Sequence, residues 1–398
     1  MNIESLESRL FLSITPTADP GERPKTAYDL GSFKGTDQVR ESLSKKDRDD
    51  YYRFSVASAG NVNLSLGGLK NNADLRLLNR KGATIAQSTR SGTSSEKISL
   101  SLPKGRYYVR VSGAATTPYK LTLSADLNWG TVRDGADRRD IGLVWADGST
   151  RRIRGDRETW ITIHGWNSNP DGQAISHLSR ALDGLPGKVQ VLELDWSSAA
   201  KSSSIITSAG WTDEIGELVA DKLRSWGLSA AEVNLAGHSL GGLVADRIAA
   251  EAKGGVNRIL AIDPATDLPG LFISGTDYAD NSRYSVGFIA SSYATPEAAT
   301  TADEAFRVNI GSFNSIVTHS NVVDLVADMI EENNAGSPDR ISALFDPAIL
   351  GTTKRPFRPN AYSGGFEGTL TATRSGSDWN PTTLVYKNRN GKEITLRA

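Results

Sequence analysis

Gly237-His238-Ser239-Leu240-Gly241 is a G-x-S-x-G pentapeptide set between the apolar run Val233-Asn234-Leu235-Ala236 and a helix-period stretch from Leu243 to Ala252. A serine placed there sits on a sharp strand-to-helix turn that lifts its hydroxyl above a sheet edge. The flanking glycines are needed because side chains at those positions would strike neighbouring backbone. The inert alternative is a plain turn. A hydroxyl attacks an acyl carbon only when a base takes its proton, and the chain has four histidines, His164, His177, His238 and His319. His238 is expected to point away as the chain turns. His164 precedes a glycine at a strand end, where an oxyanion-forming loop belongs, and His177 lies beside the apolar face of a helical stretch, as a surface residue would. That leaves His319 as the base, in a loop between the strand-like Phe306 to Ile310 and a helix with Val322, Val323, Val326, Met329 and Ile330 on one face. A capping or surface role is its alternative.

The third group must be a carboxylate that holds the imidazole tautomer and stabilises the imidazolium. Asp263 ends the strand Ile259 to Ile262 that follows the elbow helix, in Ile262-Asp263-Pro264-Ala265. Its alternative is a turn residue before Pro264. Rival carboxylates are Asp267, Asp277 and Asp280 in a loop, and Asp324 in the helix after His319. The order Ser, Asp, His agrees with the α/β-hydrolase arrangement. An oxyanion hole needs two backbone N–H groups: one from Leu240 beside the nucleophile, the other from the early loop at Trp166.

These residues need a sheet whose strands end together. After Asp126 apolar runs alternate with helix-period segments: Trp160 to Ile163, then Ile175, Leu178 and Leu182, then Val189 to Leu194. Ile215, Leu218, Val219, Leu223 and Trp226 follow on one helix face, stopping at Gly227. This β-α-β-α rhythm implies a mostly parallel sheet with helices on both faces, and Asp140 to Ile153 reads as a hairpin leading into it. In such sheets ligands bind beyond the carboxyl ends of the strands. From about Ala27 to Ala125 the period is instead two: Tyr52, Phe54 and Val56, then Val62, Leu64 and Leu66, then Tyr107, Val109 and Val111 alternate with polar residues. Short strands at that spacing imply a small antiparallel β-sandwich. The expected fold class is therefore α/β plus all-β.

Composition narrows the class further. Lys+Arg 45 against Asp+Glu 46 leaves a net charge of −1, without the basic footprint of a nucleic-acid binder. Cysteine is absent, which excludes disulfides, thiolate metal sites and a Cys nucleophile. Nowhere is there an apolar run of the ~18 residues that a membrane-spanning helix needs.

Three resemblances follow from these segments. Asp49-Asp50-Tyr51-Tyr52-Arg53-Phe54 and the later Gly105-Arg106-Tyr107-Tyr108-Val109-Arg110-Val111 resemble the bacterial pre-peptidase C-terminal (PPC) domain, a β-sandwich accessory of secreted enzymes with no catalytic residues. Here it precedes the catalytic segment rather than following it, and a structural or adhesive role is implied. Ile163-His164-Gly165-Trp166, Leu194-Asp195-Trp196, Asn234 to Gly242 and Ile262 to Ala265 resemble the pancreatic-lipase group of α/β-hydrolases. That group cleaves lipid esters as triacylglycerol lipase or phospholipase A1, and carries its triad acid on the strand after the elbow helix, the position of Asp263. Gly242 stands where the group usually has Ala. Leu6-Glu7-Ser8-Arg9-Leu10-Phe11-Leu12-Ser13 resembles an N-terminal export signature of planctomycete-type bacteria, with Ser8 at the usual Pro. Its alternative is a disordered terminus.

The expected organisation is an N-terminal segment over 1–25, a sandwich over 26–126, a hydrolase domain over 135–345 and a β-rich extension over 346–398. Tyr284 to Ser292 is expected as a core strand rather than part of a lid, leaving short polar lid candidates. Asp267, Asp277 and Asp280 offer oxygen ligands for a structural Ca²⁺, although a solvated loop is the favoured reading. Acyl transfer on this triad needs no cofactor. The expected protein is a secreted or cell-surface serine esterase or lipase, with an ester or lipid substrate and contact to a lipid interface or cell surface through the sandwich. A non-catalytic surface protein and an amidase or peptidase on the same triad are the alternatives.

Overall fold

Alternation in the first part of the chain becomes ten strands: β1 (Leu12–Ile14), β2 (Tyr28–Phe33), β3 (Thr36–Leu43), β4 (Asp49–Val56), β5 (Gly60–Gly67), β6 (Asp74–Leu78), β7 (Thr84–Ser88), β8 (Glu96–Leu102), β9 (Gly105–Ser112) and β10 (Thr117–Asp126). The computed structural model describes residues 12–14, 16, 19–33, 36–56, 60–103, 105–126, 128–147, 153–266, 276–295, 301–352, 354–357 and 366–398. Most of the N-terminal export-like signature, the hairpin tip at 148–152 and Asp267 lie outside these residues. The chain divides into two units between Thr131 and Val132.

In the first unit the strands form two five-stranded sheets, β1-β3-β10-β5-β8 and β2-β4-β9-β6-β7. β4 and β9 pair antiparallel, with Tyr52 opposite Val109 and Phe54 opposite Tyr107. Their inward residues share one core with Leu64, Leu66, Leu121 and Leu123 of the facing sheet, as period-two patterning requires. Inside it the Tyr52 and Tyr119 hydroxyls lie 2.6 Å apart, and the Tyr119 O–H donates to Asp50 Oδ2. Burial pushes the Asp50 carboxyl up to about 7.

Eleven strands make the second sheet: β11 (Trp129–Asp134), β12 (Asp137–Trp145), β13 (Glu158–Ile163), β14 (Val189–Asp195), β15 (Val233–His238), β16 (Val256–Ile262), β17 (Ser282–Ile289), β18 (Glu304–Asn309), β19 (Gly368–Ser375), β20 (Asp378–Lys387) and β21 (Glu393–Arg397). Their order is β11-β12-β14-β13-β15-β16-β17-β18-β19-β20-β21. The pairs from β14 through β13, β15, β16, β17 and β18 to β19 are all parallel. β12 pairs antiparallel with β14, so the chain after Asp140 crosses into the sheet rather than folding back on itself. β17 is the core strand expected at Tyr284. The last three strands continue this same sheet, with β20 antiparallel to both neighbours.

Among the described residues the α-helices are α1 (Gln173–Asp183), α2 (Ser197–Ala200), α3 (Ile205–Ala209), α4 (Thr212–Ser225), α5 (Leu240–Glu251) and α6 (Ile316–Asn334). Successive residues of the central strands feed opposite cores. Ile259 and Ala261 of β16 pack with α4 and α5, while Leu260 and Ile262 pack with α1 and α6. Trp160 is fully buried in the second core. A ring of that size removes ~150–250 Å² from water, worth about 4–6 kcal/mol before entropy is charged against it. α4 starts with Asp213 and Glu214, ends with Lys222 and Arg224, and stops at Gly227, whose φ of 76° suits only glycine without strain.

Candidate active site

Ser239 stands between β15 and α5 with φ 57° and ψ −128°, a conformation that costs an L residue about 1–3 kcal/mol unless its surroundings hold it. They do. Ser239 N–H donates to the Ile262 carbonyl at 3.1 Å, and its own carbonyl accepts from Ala265 N–H at 3.0 Å and Gly242 N–H at 2.9 Å. A Cβ on Gly237 would lie 2.3 Å from the Gly241 oxygen, and one on Gly241 would lie 2.3 Å from the Ile163 oxygen. A Cβ on Gly165 would meet Ser239 Cβ at 2.7 Å. These contacts leave no room for any side chain at the three positions.

Asp263 follows β16 at φ 45° and is fully buried. Four donors surround its carboxylate. Oδ1 accepts the Ala290 and Ser291 N–H groups at 2.6 and 3.1 Å. Oδ2 accepts the Ser291 hydroxyl at 2.5 Å and His319 Nδ1–H at 2.7 Å. With Nδ1 carrying the proton, the Nε2 lone pair of His319 is the free one. The Ser291 oxygen also lies 3.3 Å from His319 Nδ1 and accepts Tyr293 N–H at 3.2 Å. Ser291 was not among the expected residues.

His319 lies in the first turn of α6 and not in the loop before it; Ser315 caps that helix by accepting Val317 N–H. The reason is register: the apolar face from Val322 onward extends back to Thr318 and His319, which are buried with it. His238 also departs from expectation. Instead of pointing away, its Nε2–H donates to the His319 carbonyl at 2.8 Å, and the two rings sit 4.6 Å apart. Burial, then the adjacent His319, hold His238 down to about 3. The turn at Ser239 is thus tied to the first turn of α6 by the histidine beside it. No hydrogen bond joins Ser239 Oγ to His319 among the described residues.

His164 is buried, stacks on Trp196 at 5.4 Å between centroids, and is held down to about 4 by burial. Its carbonyl accepts the Trp196 Nε1–H at 2.9 Å, which fixes the loop carrying Gly165 and Trp166. No hydrogen bond among the described residues uses the Trp166 or Leu240 backbone N–H. Of the rival carboxylates, Asp324 pairs with His177. Asp277 accepts Asp280 N–H, while its own N–H goes to Asp246. Neither Asp277 nor Asp280 belongs to a three-ligand cluster among the described residues.

Residues 48–113 match the model for the bacterial pre-peptidase C-terminal domain, and residues 148–269 match the Lipase family model. A segment that matches the PPC model thus precedes one that matches the Lipase model on a mostly parallel α/β sheet. The pancreatic triacylglycerol lipase of Myocastor coypus is 32% identical over 131 residues, covering 31% of this chain and 28% of that protein. The chain therefore spans little more than a quarter of this curated relative. Among solved structures, the pre-peptidase C-terminal domain of a Bacillus anthracis collagenase is 23% identical, covering 26% of this chain and 100% of its own, with a TM-score of 0.22. A thermostable carboxylesterase cloned from a metagenomic library is 14% identical, covering 55% of this chain and 89% of its own, with a TM-score of 0.32. The Lipase match contains Ser239 and Asp263 but ends before Ser291 and His319. No helix among the described residues is long and apolar enough to cross a membrane.

Proposed function

We propose that this protein is an exported serine hydrolase of lipid carboxylic esters, with Ser239, His319 and Asp263 as its triad. The observation that carries this reading is the Asp263–His319 contact of 2.7 Å beside a strained, glycine-packed elbow. Ser239 Oγ attacks the ester carbonyl carbon and gives its proton to His319 Nε2, while Asp263 stabilises the imidazolium. The Trp166 and Leu240 N–H groups receive the oxyanion. Collapse expels the alcohol, which takes the proton from His319, and water then releases the carboxylic acid by the same route.

Lipid esters are favoured by what surrounds these residues. Trp166, Tyr293, Phe313, Ile316 and Val317 are exposed. Trp166 follows the glycine against Ser239, the Tyr293 ring lies 5.7 Å from His319, and Ile316 and Val317 open α6. Such apolar side chains are suited to acyl chains and to a lipid surface. The PPC module, an accessory without chemistry of its own, supports export.

The test is hydrolysis of chromogenic esters, from about two to sixteen acyl carbons, by wild type and Ser239→Ala, with a loss on the order of 10⁶ expected. Activity that survives in the variant rejects Ser239. An optimum at the shortest esters rejects the lipid assignment and leaves an esterase.

A further inference from the structure

His177, in the middle of α1, faces three carboxylates on α6. Asp324, Asp328 and Glu331 follow one another at i, i+4 and i+7, and so share one face of that helix. His177 Nδ1–H donates to Asp324 Oδ1 at 3.0 Å, so in the neutral ring Nε2 carries the lone pair a cation would take. Nε2 lies 3.6 Å from Asp328 Oδ1 and 3.4 Å from Glu331 Oε1. Both separations exceed the ~2.7–3.2 Å of a hydrogen bond. They match the edge of a coordination tetrahedron, about 3.3–3.6 Å for metal–ligand bonds of ~2.0–2.2 Å.

We propose that His177 Nε2, Asp328 Oδ1 and Glu331 Oε1 bind a divalent transition-metal cation of the zinc type across the α1–α6 packing. One ligand atom from each of the three residues lies within 4.8 Å of the other two. Without an ion these are ion-pair contacts of the protonated ring, and the same contacts would serve a metal centre. Asp324 on Nδ1 orients the ring and fixes its tautomer, as carboxylates behind metal-bound histidines do. Asp328 is held from behind by the Trp379 N–H, which donates to Oδ2 at 2.7 Å. Burial, with Asp378 and Asp324 nearby, pushes the Asp328 carboxyl up to about 6. One imidazolium cannot balance three carboxylates, whereas a dication with a neutral imidazole comes closer. Glu331 is 49% exposed, so water has access to complete the coordination shell. The nitrogen ligand selects against Ca²⁺ and Mg²⁺, which favour oxygen-only sets.

The experiment titrates the EDTA-stripped, dialysed full chain with ZnCl₂ by calorimetry near neutral pH. Saturable binding of about one ion per chain is expected, together with ligand-field bands when CoCl₂ replaces zinc. His177→Ala and Glu331→Gln should each abolish or strongly weaken it; Glu331 is exposed enough for its variant to fold. Asp324→Asn, which touches only the ring's far nitrogen, should weaken binding about 10- to 100-fold. The proposal falls if wild type binds no zinc, if His177→Ala and Glu331→Gln titrate like wild type, or if CaCl₂ competes at equal concentration.

Discussion

The Ser239 half and the His319 half of the candidate site are held by different means. Around Ser239 the backbone does the positioning: a strained residue is pinned by main-chain hydrogen bonds, and three glycines let strands and helix close on it. Around His319 side chains do it, through a carboxylate saturated by Ala290, Ser291 and the imidazole. Backbone positioning tolerates no substitution and so leaves a motif. Positioning by side chains leaves almost none, because a serine at a strand end is commonplace.

The sharpest way to probe the second half is Asp263→Asn, which removes the charge and turns an acceptor into a donor facing His319. A loss on the order of 10⁴ in kcat is expected, with KM little changed. A loss below tenfold would mean that another group fixes the tautomer.

Gly241→Ala probes the first half. Its Cβ meets main-chain oxygen at 2.3 Å, which no rotamer change relieves, so destabilisation of about 1–3 kcal/mol or more is expected. Thermal unfolding reads this directly, and a wild-type melting temperature with full activity would break the contrast. Gly242 belongs with it. A Cβ there would meet Pro264 Cβ at 2.7 Å and the Tyr278 hydroxyl at 3.0 Å, which explains why this chain departs from the alanine usual at that position.

Ser291→Ala should be milder, because three of the four donors to Asp263 remain. A hydrogen bond to a charged group contributes about 1.5–3 kcal/mol, so kcat should fall roughly 10- to 100-fold with KM unchanged. Partial rescue by Ser291→Thr separates positioning from packing, and a change confined to KM would reject it. The smallest effect concerns pH. Burial lowers His164 to about 4 and His238 to about 3, so both stay uncharged above those values. The acid limb of kcat/KM should therefore follow a single proton, and a two-proton limb above about pH 5 would show the elbow titrating as well.

Much of this was legible in the residues, for physical reasons. Ser239 and Asp263 stand at strand ends whose apolar runs are unmistakable, and His319 emerges because so few histidines exist. Its helical setting leaves little signal, because Thr318 and His319 continue the buried face of α6 without being aliphatic. The His238 contact leaves none, since its partner is a main-chain oxygen far along the chain, which no pattern encodes. The β-rich character of 346–398 is legible in the sequence, but its continuation of the large sheet depends on β18, a long-range pairing.

The His238 contact bears on how such a chain can diverge. Its far end is a carbonyl, so it demands no particular residue there and leaves no covarying pair. What it constrains is phase: insertions between β16 and α6 can be absorbed in loops, provided α6 begins with the same residue above the elbow. Families built this way should vary freely in loop length while the first turn of that helix keeps its place.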